Sequence, residues 1–251
     1  MENNIIRINN LDCPIYRIYQ CDRFLDLIET RTDALISPSK WEDPWENFLF
    51  KNNVVGNNGE VISIEPLYKS FYGQCWTMNC DSDAIWRIYS KNRSGIRVST
   101  TVGKLLKNYW QVGNNPELKY LIGAVEYKDR QEMQEFARKV SGTGLDNYLM
   151  GGSLFKFAET FLMKREGFSH EREVRMIFCE DSNENIGVCG IAKFAFNLDM
   201  LDEVALDPRL KLDEFERRRE KIIKKSGYTK EIVQSDLYQP MGEIKIKLSA
   251  P

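Results

Sequence analysis

The chain has 251 residues, of which 42% are hydrophobic and 12% aromatic, so it is long enough to bury a substantial core. Its formal charge of −2 at pH 7 excludes a global basic field that would draw the whole protein onto nucleic acid or a membrane, and leaves only local basic patches. The N-terminus lacks the apolar core of a signal peptide, and no stretch reaches the roughly 18 apolar residues of a membrane span. We therefore expect a cytoplasmic protein with no membrane contact.

The first half of the chain predicts short strands and helices. Residues 14–19 alternate and are rich in β-formers, which predicts a strand with Arg17 in its middle, where a charge must be paired or face a cleft. Residues 38–46 concentrate proline, tryptophan and acids, and form either a packed plug or a ligand-facing wall. The other elements predicted here are helices at 23–30, 84–90 and 102–109 and strands at 34–37, 73–78 and 95–101.

The second half predicts further strands and a charged helix. Because strands and helices mix without regular βαβ spacing, the sequence predicts an α+β fold. Residues 212–225 form an amphipathic helix whose basic surface is either a solvated face or a phosphate-facing patch, made of Arg217, Arg218, Arg219, Lys221, Lys224 and Lys225. The other predicted elements are helices at 130–140 and 153–164, a glycine-rich loop at 142–152, and strands at 121–127, 190–197, 201–206, 232–238 and 243–248.

The stretch 168–178 places a Glu-x-Glu pair, Glu171 and Glu173, at the start of an apolar run. Two carboxylates two residues apart on one strand face cost electrostatic energy unless a cation compensates them. They indicate either a functional site or a sheet edge whose charges are solvated or paired with Arg172 and Arg175. Alternation from Glu171 onwards predicts a strand, and its opposite, core-facing side contains Val174, Met176 and Phe178.

Residues that carry most catalytic and metal chemistry are scarce. The one histidine, His170, would have to serve any Ser-His or Cys-His machinery, and the chain has no G-x-S-x-G elbow. It also has no G-x-G-x-x-G and no G-x-x-x-x-G-K-[ST], so Rossmann and P-loop sites lack their phosphate-binding loops. The six cysteines include no C-x-x-C pair, which predicts reduced thiols and no bound metal.

Several motifs, taken in order, resemble a bacterial domain of unknown function found in defence and toxin neighbourhoods. That domain in turn looks like the ADP-ribosyltransferase superfamily, which includes the DarT-type toxins that modify nucleic acid. The resemblance implies a single domain over 1–251, with a helix-strand extension at about 207–251, built as a split mixed or antiparallel β-sandwich with peripheral helices. The motifs are Tyr16-Arg17, Ser37-Pro-x-x-Trp-x-Asp-Pro-Trp-Glu46, Cys75-Trp-Thr, Trp86-x-x-Tyr-Ser90, Gly95-Ile-Arg97 and Phe168-x-His-Glu-x-Glu-Val-Arg175.

The resemblance implies an NAD-dependent mono-ADP-ribosyltransferase that acts as an intracellular toxin or phage-defence effector. NAD+ would be a substrate, the acceptor would be RNA, DNA or else a protein side chain, and a cognate antitoxin protein is an expected partner. Nucleic acid is favoured as the acceptor because the basic helix offers phosphate contacts. Glu173 would stabilise the oxocarbenium-like cation that forms when the nicotinamide–ribose bond breaks. Glu171 or His170 would take a proton from the acceptor.

The same resemblance implies a set of NAD-binding residues. Arg17 would hold the diphosphate or the adenosine ribose through charge-assisted hydrogen bonds. Tyr89 would stack on nicotinamide, and Trp76 or Trp86 would wall the pocket. Tyr89 and Ser90, or alternatively Ser99 and Thr100, occupy the place of the central motif, and Arg97 completes the set.

Each of these assignments has a simpler alternative. Arg17 could pair with Glu173 in a structural bridge, and His170 could be an exposed loop residue. Trp76, Trp86 and Tyr89 could belong to the core. For the whole protein, one alternative is a non-catalytic module of a defence system that senses a nucleotide or binds a partner. The other is a metal-independent nuclease or phosphotransferase that uses the acid pairs.

Overall fold

The computed structural model describes residues 4–46, 54–55, 58–62, 69–110, 120–139, 154–180, 187–240 and 242. The helices in these ranges are α1 (Cys21–Thr30), α2 (Asp83–Tyr89), α3 (Val102–Trp110), α4 (Arg130–Lys139), α5 (Leu154–Glu159) and α6 (Leu212–Ser226). The strands are β1 (Ile5–Ile6), β2 (Pro14–Gln20), β3 (Thr32–Ile36), β4 (Val54–Val55), β5 (Val61–Ile62), β6 (Phe71–Thr77), β7 (Gly95–Thr101), β8 (Tyr120–Ala124), β9 (Glu126–Lys128), β10 (Met163–Arg165), β11 (Glu173–Cys179), β12 (Gly187–Val188), β13 (Ile191–Ala195), β14 (Glu203–Leu206) and β15 (Ile232–Gln234).

Eleven of the described strands form one large mixed sheet. Its main path runs β1-β8-β11-β6-β2-β7-β14-β15, with β3, β13 and β12 in a side branch. The β1–β8 and β14–β15 pairs are parallel, and the other pairs of this sheet are antiparallel. The predicted mixture of helices with a large mixed sheet is confirmed, whereas the two-layer sandwich and the domain boundaries stay predictions.

The sheet branches at β6. Along one edge, β6 pairs with the whole of β11. Along the other edge, β2 meets it only at Tyr16 opposite Thr77, and β3 meets it only at Ile36 opposite Gly73. Because two strands share this edge, β2 separates from β6 just beyond Tyr16. That separation provides room between two strands in the middle of the sheet.

The two faces of β11 pack differently, as its alternation predicts. Val174, Met176 and Phe178 are buried in the main core, together with residues of β2, β6, β7 and β8. Ile177 points to the opposite face, into a smaller apolar cluster with Phe161 and other residues from the α5 region. The charged residues of β11 share that second face, so the ion pairs described below lie next to an apolar cluster.

Two features of this stretch differ from the prediction. Glu171 does not lie on the strand, because residues Glu166–Glu171 form a 3-10 segment and Arg172 is left-handed at φ 44°. The left-handed residue turns the chain just before β11 begins at Glu173. The sheet-edge placement is also wrong, because β11 lies between β6 and β8 and is paired on both sides. The pairing with Arg175 that the same alternative gave is found, since Arg175 Nε lies 2.6 Å from Glu173 Oε2.

Other boundaries moved because tertiary pairing overrides local periodicity. The predicted helix 153–164 ends at Glu159 and continues through a 3-10 turn into β10, which pairs in parallel with β9. The predicted strand 121–127 divides at Val125 into β8 and β9, and the predicted strand 232–238 is only the short β15. The remaining described elements match their predictions with small shifts, whereas the glycine-rich loop 142–152 and the strand 243–248 lie outside the described residues.

Three predicted properties concern the whole chain. All six cysteines are free thiols. Within the described ranges, no three His, Cys, Asp or Glu side chains gather where they could hold a metal ion. None of the helices in those ranges combines the length and the hydropathy needed to cross a membrane.

Candidate active site

A cavity of about 160 Å³ lies where β2 separates from β6. β2, β6, α2 and the residues around the start of β11 form its walls. The volume is below the roughly 300–1,000 Å³ of typical small-molecule sites, so the cavity can enclose one ring or one sugar but not a whole dinucleotide. Its polar lining residues are Tyr16, Arg17, Thr77, Tyr89, Glu171 and Glu173.

Arg17 contributes a positively charged residue to the wall of this cavity. Its Nη1 is buried and has no hydrogen-bond acceptor among the described residues, and its guanidinium carbon lies 4.8 Å from the centre of the Tyr19 ring. Burial alone lowers the pKa of Arg17, but Tyr19 and the Asp33 carboxylate raise it above its ordinary value, so the group stays charged. The bridge to Glu173 that the sequence left open does not form within the described structure. A charged, partly unsatisfied guanidinium group in a cavity is suited to bind an anion.

Glu171 and Glu173 converge on one lysine, although only Glu173 belongs to β11. Lys164 Nζ donates to Glu171 Oε2 at 2.5 Å and to Glu173 Oε1 at 2.6 Å. Tyr89 Oη donates to Glu171 Oε1 at 2.9 Å, and Arg175 Nε donates to Glu173 Oε2 at 2.6 Å. Each of the four carboxylate oxygens therefore accepts a hydrogen bond, and both side chains line the cavity.

The two carboxyl groups have pKa values that move in opposite directions. Burial raises the pKa of Glu171, as does the hydrogen bond that its protonated form donates to the Glu173 carboxylate, and Lys164 only partly offsets this. Burial would also raise the pKa of Glu173. The charge of Arg175, the hydrogen bond accepted from Glu171 and the charge of Lys164 together lower it well below its usual range. Neighbouring carboxyls whose pKa values are pushed apart can divide the roles of proton carrier and permanent charge.

The loop 38–46 packs against Arg175, a cation that bonds to Glu173. Arg175 is almost completely buried and donates to Phe161 O at 2.7 Å and to Glu46 Oε1. The ring of Trp41 lies 4.5 Å from the Arg175 guanidinium, in a cation–π contact. A Cβ at Gly73 would come within 2.6 Å of this ring, so glycine is what allows the close approach. The loop 38–46 is therefore a packed plug rather than a ligand-facing wall.

Five of the predicted site residues meet at the cavity. Arg17, Trp76, Tyr89, Glu171 and Glu173 all line it. Trp76 is also a core residue, since it is buried and its Nε1 donates to Gln74 Oε1 at 2.8 Å. Tyr89 is 41% exposed, so it connects the pair to solvent.

The other four predicted residues lie off the cavity. His170 is exposed, as its simpler alternative proposed. Trp86 is buried and donates through Nε1 to Asp81 Oδ1 at 2.5 Å. Ser90 is buried and donates to Asp207 Oδ2. Arg97 pairs with Glu203 at 2.6 Å and with Asp81 at 3.4 Å, so it connects β7 to its neighbours.

The site also contains residues that the sequence did not single out for a role there. Lys164 stood at the end of a predicted amphipathic helix, where a lysine is normally solvated. Glu46 was one of several acids in a loop. Thr77 belongs to the Cys75-Trp-Thr motif, and its Oγ1 donates to the Glu171 backbone oxygen at 2.5 Å, which anchors the 3-10 segment to β6. Thr77 and Glu46 had a sequence signal, because each belongs to one of the ordered motifs, whereas Lys164 had none.

The basic surface of α6 is largely neutralised by acids. Four of its six basic residues form ion pairs. In two of these pairs the acid lies four residues before the arginine on the same helix. Most of the positive charge that would bind phosphate on this helix is therefore neutralised, which argues against a phosphate-binding surface. The ion pairs are Arg217–Asp213, Arg218–Glu214, Arg219–Glu216 and Lys225–Glu29.

The pair makes stability depend on pH in a defined direction. Because the folded-state pKa of Glu173 is lowered, its contribution is present above the unfolded-state pKa of about 4.3 and is lost as the pH falls towards the folded-state value. We expect the free energy of unfolding to fall more steeply with decreasing pH in the wild type than in Glu173→Gln. The difference should appear between roughly pH 5 and pH 3, around the unfolded-state pKa. Urea denaturation at several pH values measures both slopes. Equal slopes would contradict the lowered pKa.

The sequence was compared with known families and proteins. Residues 85–176 match the model of a protein family of unknown function, DUF2971. The match covers less than half of the chain. It contains β7 and parts of α2 and β11, and thus Tyr89, Glu171 and Glu173, but not Arg17. No curated protein matches the chain.

The structure was compared with solved structures. It is similar to DarT of Thermus sp. 2.9 in complex with NAD+, with a TM-score of 0.41, 10% identity, and coverage of 91% of this chain and 98% of that one. DarT of the same organism in complex with ADP-ribosylated single-stranded DNA gives a TM-score of 0.39 at 10% identity, covering 91% of this chain and 96% of that one. The similarity concerns the overall arrangement, and no residue role is transferred from it.

Proposed function

We propose that this chain is an NAD-dependent ADP-ribosyltransferase that reacts at the cavity between β2 and β6. One observation carries the proposal. The wall of this cavity contains an arginine with a buried, unsatisfied guanidinium nitrogen, a tyrosine and two carboxyls of divergent pKa. A cation for an anionic substrate, together with a fixed negative charge for a developing positive charge, is what cleavage of the nicotinamide–ribose bond requires.

The residues divide the work as follows. Arg17 supplies the charge for a phosphate of NAD+, and the cavity is large enough for one ring or sugar at the nicotinamide end. Glu173, which stays ionised, stabilises the positive charge on the ribose as the bond breaks. Glu171, with its raised pKa, takes the proton from the acceptor. We assign this proton to Glu171 rather than His170, because His170 is exposed and does not line the cavity.

The acceptor and the biological role are the finer parts of the proposal. Two of the DarT structures described above contain NAD+ and ADP-ribosylated single-stranded DNA, but their similarity to this chain is too low to assign its ligands. We propose a nucleic-acid acceptor on the basis of the ordered motifs, which resemble a domain that looks like a superfamily containing toxins that modify nucleic acid. Its contacts are not placed on α6, whose charge is largely neutralised. The proposed role as an intracellular toxin or phage-defence effector with a cognate antitoxin rests on the ordered motifs.

The direct test is label transfer from NAD+. Purified protein is incubated with NAD+ labelled in the adenylate, together with RNA, single-stranded DNA or cell lysate. Release of nicotinamide with label on one acceptor is expected. The acceptor that gains label identifies the class of the substrate. Absence of both release and transfer, from protein whose circular dichroism shows it folded, would refute the proposal.

A non-catalytic nucleotide-sensing or partner-binding module is the second candidate. The observation that favours it is that all four oxygens of the carboxyl pair already accept hydrogen bonds, as in a structural ion network. This candidate predicts that NAD+ raises the melting temperature without any release of nicotinamide. The label-transfer experiment therefore separates the two candidates in one assay.

A further inference from the structure

Lys164 contacts three acids from a position outside the cavity. Its Nζ donates to Glu171 and Glu173 and lies 3.5 Å from Glu46 Oε1. Of the three N–H donors of the ammonium group, two bond to Glu171 and Glu173, and Glu46 lies within ion-pair distance. Lys164 is buried, with Phe168 packed against the ammonium at 4.5 Å, and it is not one of the residues that line the cavity.

Among the described cations, Lys164 is the one that bonds to both members of the pair. Arg175 reaches Glu173 and Glu46 but makes no hydrogen bond to Glu171 within the described structure. The pair therefore depends on Lys164 for two things. Lys164 brings Glu171, from the 3-10 segment, beside Glu173, from β11. Its positive charge also compensates two carboxylates that would otherwise repel each other.

We propose that Lys164 is a positioning residue for the proposed reaction, because it holds Glu171 and Glu173 side by side at the cavity and couples the proton occupancy of one to that of the other. This inference rests on the proposed function. Lys164 acts through the carboxyls and does not touch the substrate. Without it, the ionised form of each carboxyl loses its shared counter-charge, so both need a higher pH to ionise.

Several other groups face the pair and could contribute to its titration. Glu46 comes from the loop 38–46, Cys75 from β6 and Tyr89 from α2. Tyr127 comes from β9, and Arg17 from β2 in the cavity wall. Arg175 contacts Glu173 directly. All of these groups are unchanged by a substitution at Lys164, so a shift seen in that variant reports the lysine.

The test compares Lys164→Met with Lys128→Met. Lys128 lies on the adjacent β9 and donates to a single, more exposed acid, Glu126, at 2.6 Å. We expect Lys164→Met to move the acid limb of the pH profile of nicotinamide release to higher pH by about one to three units, the range that an adjacent opposite charge produces. The KM for NAD+ should not change. Lys128→Met should leave the profile as in the wild type.

A merely structural role would lower stability without moving the acid limb, and an unmoved limb in folded Lys164→Met overturns the proposal. A second measurement uses wild-type protein, in case that variant does not fold or the protein does not cleave NAD+. As Glu171 takes up a proton, the Nζ resonance of Lys164 and the carboxyl resonance of Glu173 should both move with the midpoint of the Glu171 carboxyl, because Lys164 bonds to both acids, whereas the Nζ resonance of Lys128 should not. Separate midpoints for Lys164 and the carboxyls overturn the coupling, whatever the label-transfer experiment shows about the function.

Discussion

Glu173→Gln is expected to lower the rate of nicotinamide release about 100- to 1,000-fold, the usual cost of removing one preorganised electrostatic group from an active site. The amide keeps the shape of the side chain but removes the negative charge that faces the cavity. The substitution should act on kcat more than on KM, because the positive charge on the ribose is present in the transition state and not in the bound substrate. Steady-state kinetics of nicotinamide release measures both.

The structure also predicts a loss of stability for this variant, so the activity needs a matched control. Glu173 is buried and bonded to Lys164 and Arg175, and breaking such a pair costs roughly 3–5 kcal/mol. Glu46→Gln is the control, since Glu46 is equally buried and contacts the same two cations but does not line the cavity. It should destabilise the protein to a similar extent and keep its activity. If both variants lose activity in parallel with stability, Glu173 is structural.

Part of the site could be predicted from the sequence because its signals are local. Alternation along residues 173–178 fixes which side chains of that strand share a face, and it places Glu173 opposite the main core. A charge in the middle of an apolar strand singled out Arg17, because a buried charge needs a special environment. These two residues lie on strands that are separated by β6, and the sheet order brings them to one cavity.

The rest of the site depends on contacts between distant segments. Lys164 follows a helical pattern that continues past the true end of α5, and only the pairing of β10 with β9 shows that it lies in a strand. Glu46 becomes part of the site through Arg175, 129 residues further along the chain. The left-handed Arg172, which turns Glu171 off the strand, has no residue-type signal, since glycine and asparagine are the usual residues there.

The same ion network has two effects on the proposed chemistry. It lowers the pKa of Glu173, which keeps that carboxylate ionised at neutral pH, and it occupies both of its oxygens. A fixed, ionised carboxylate is preorganised and needs no reorganisation as charge develops on the substrate. The network therefore favours an electrostatic role for Glu173 over attack on the substrate as a nucleophile, which would require a free oxygen.

Arg17→Met is expected to weaken NAD+ binding about 10- to 150-fold, because a hydrogen bond to a charged group contributes roughly 1.5–3 kcal/mol. The methionine retains much of the apolar volume but removes the cation from the cavity. Nη1 of Arg17 has no acceptor among the described residues, and the loss of the side chain breaks no ion pair in the described part of the chain. Isothermal titration with NAD+, combined with thermal unfolding of the free protein, measures affinity and stability separately.

Arg97→Met is the matched comparison for this variant. Arg97 lies on β7, next to β2, and its guanidinium stands over the Tyr16 ring at 5.4 Å, so both arginines are partly covered by an aromatic ring. Arg97 differs in being paired with Glu203 and Asp81 and in lying outside the cavity. Its loss should therefore lower stability more than Arg17→Met does and leave the affinity for NAD+ unchanged. The opposite pattern, with affinity lost in Arg97→Met and kept in Arg17→Met, would place the substrate at Arg97 and remove the cavity from the proposal.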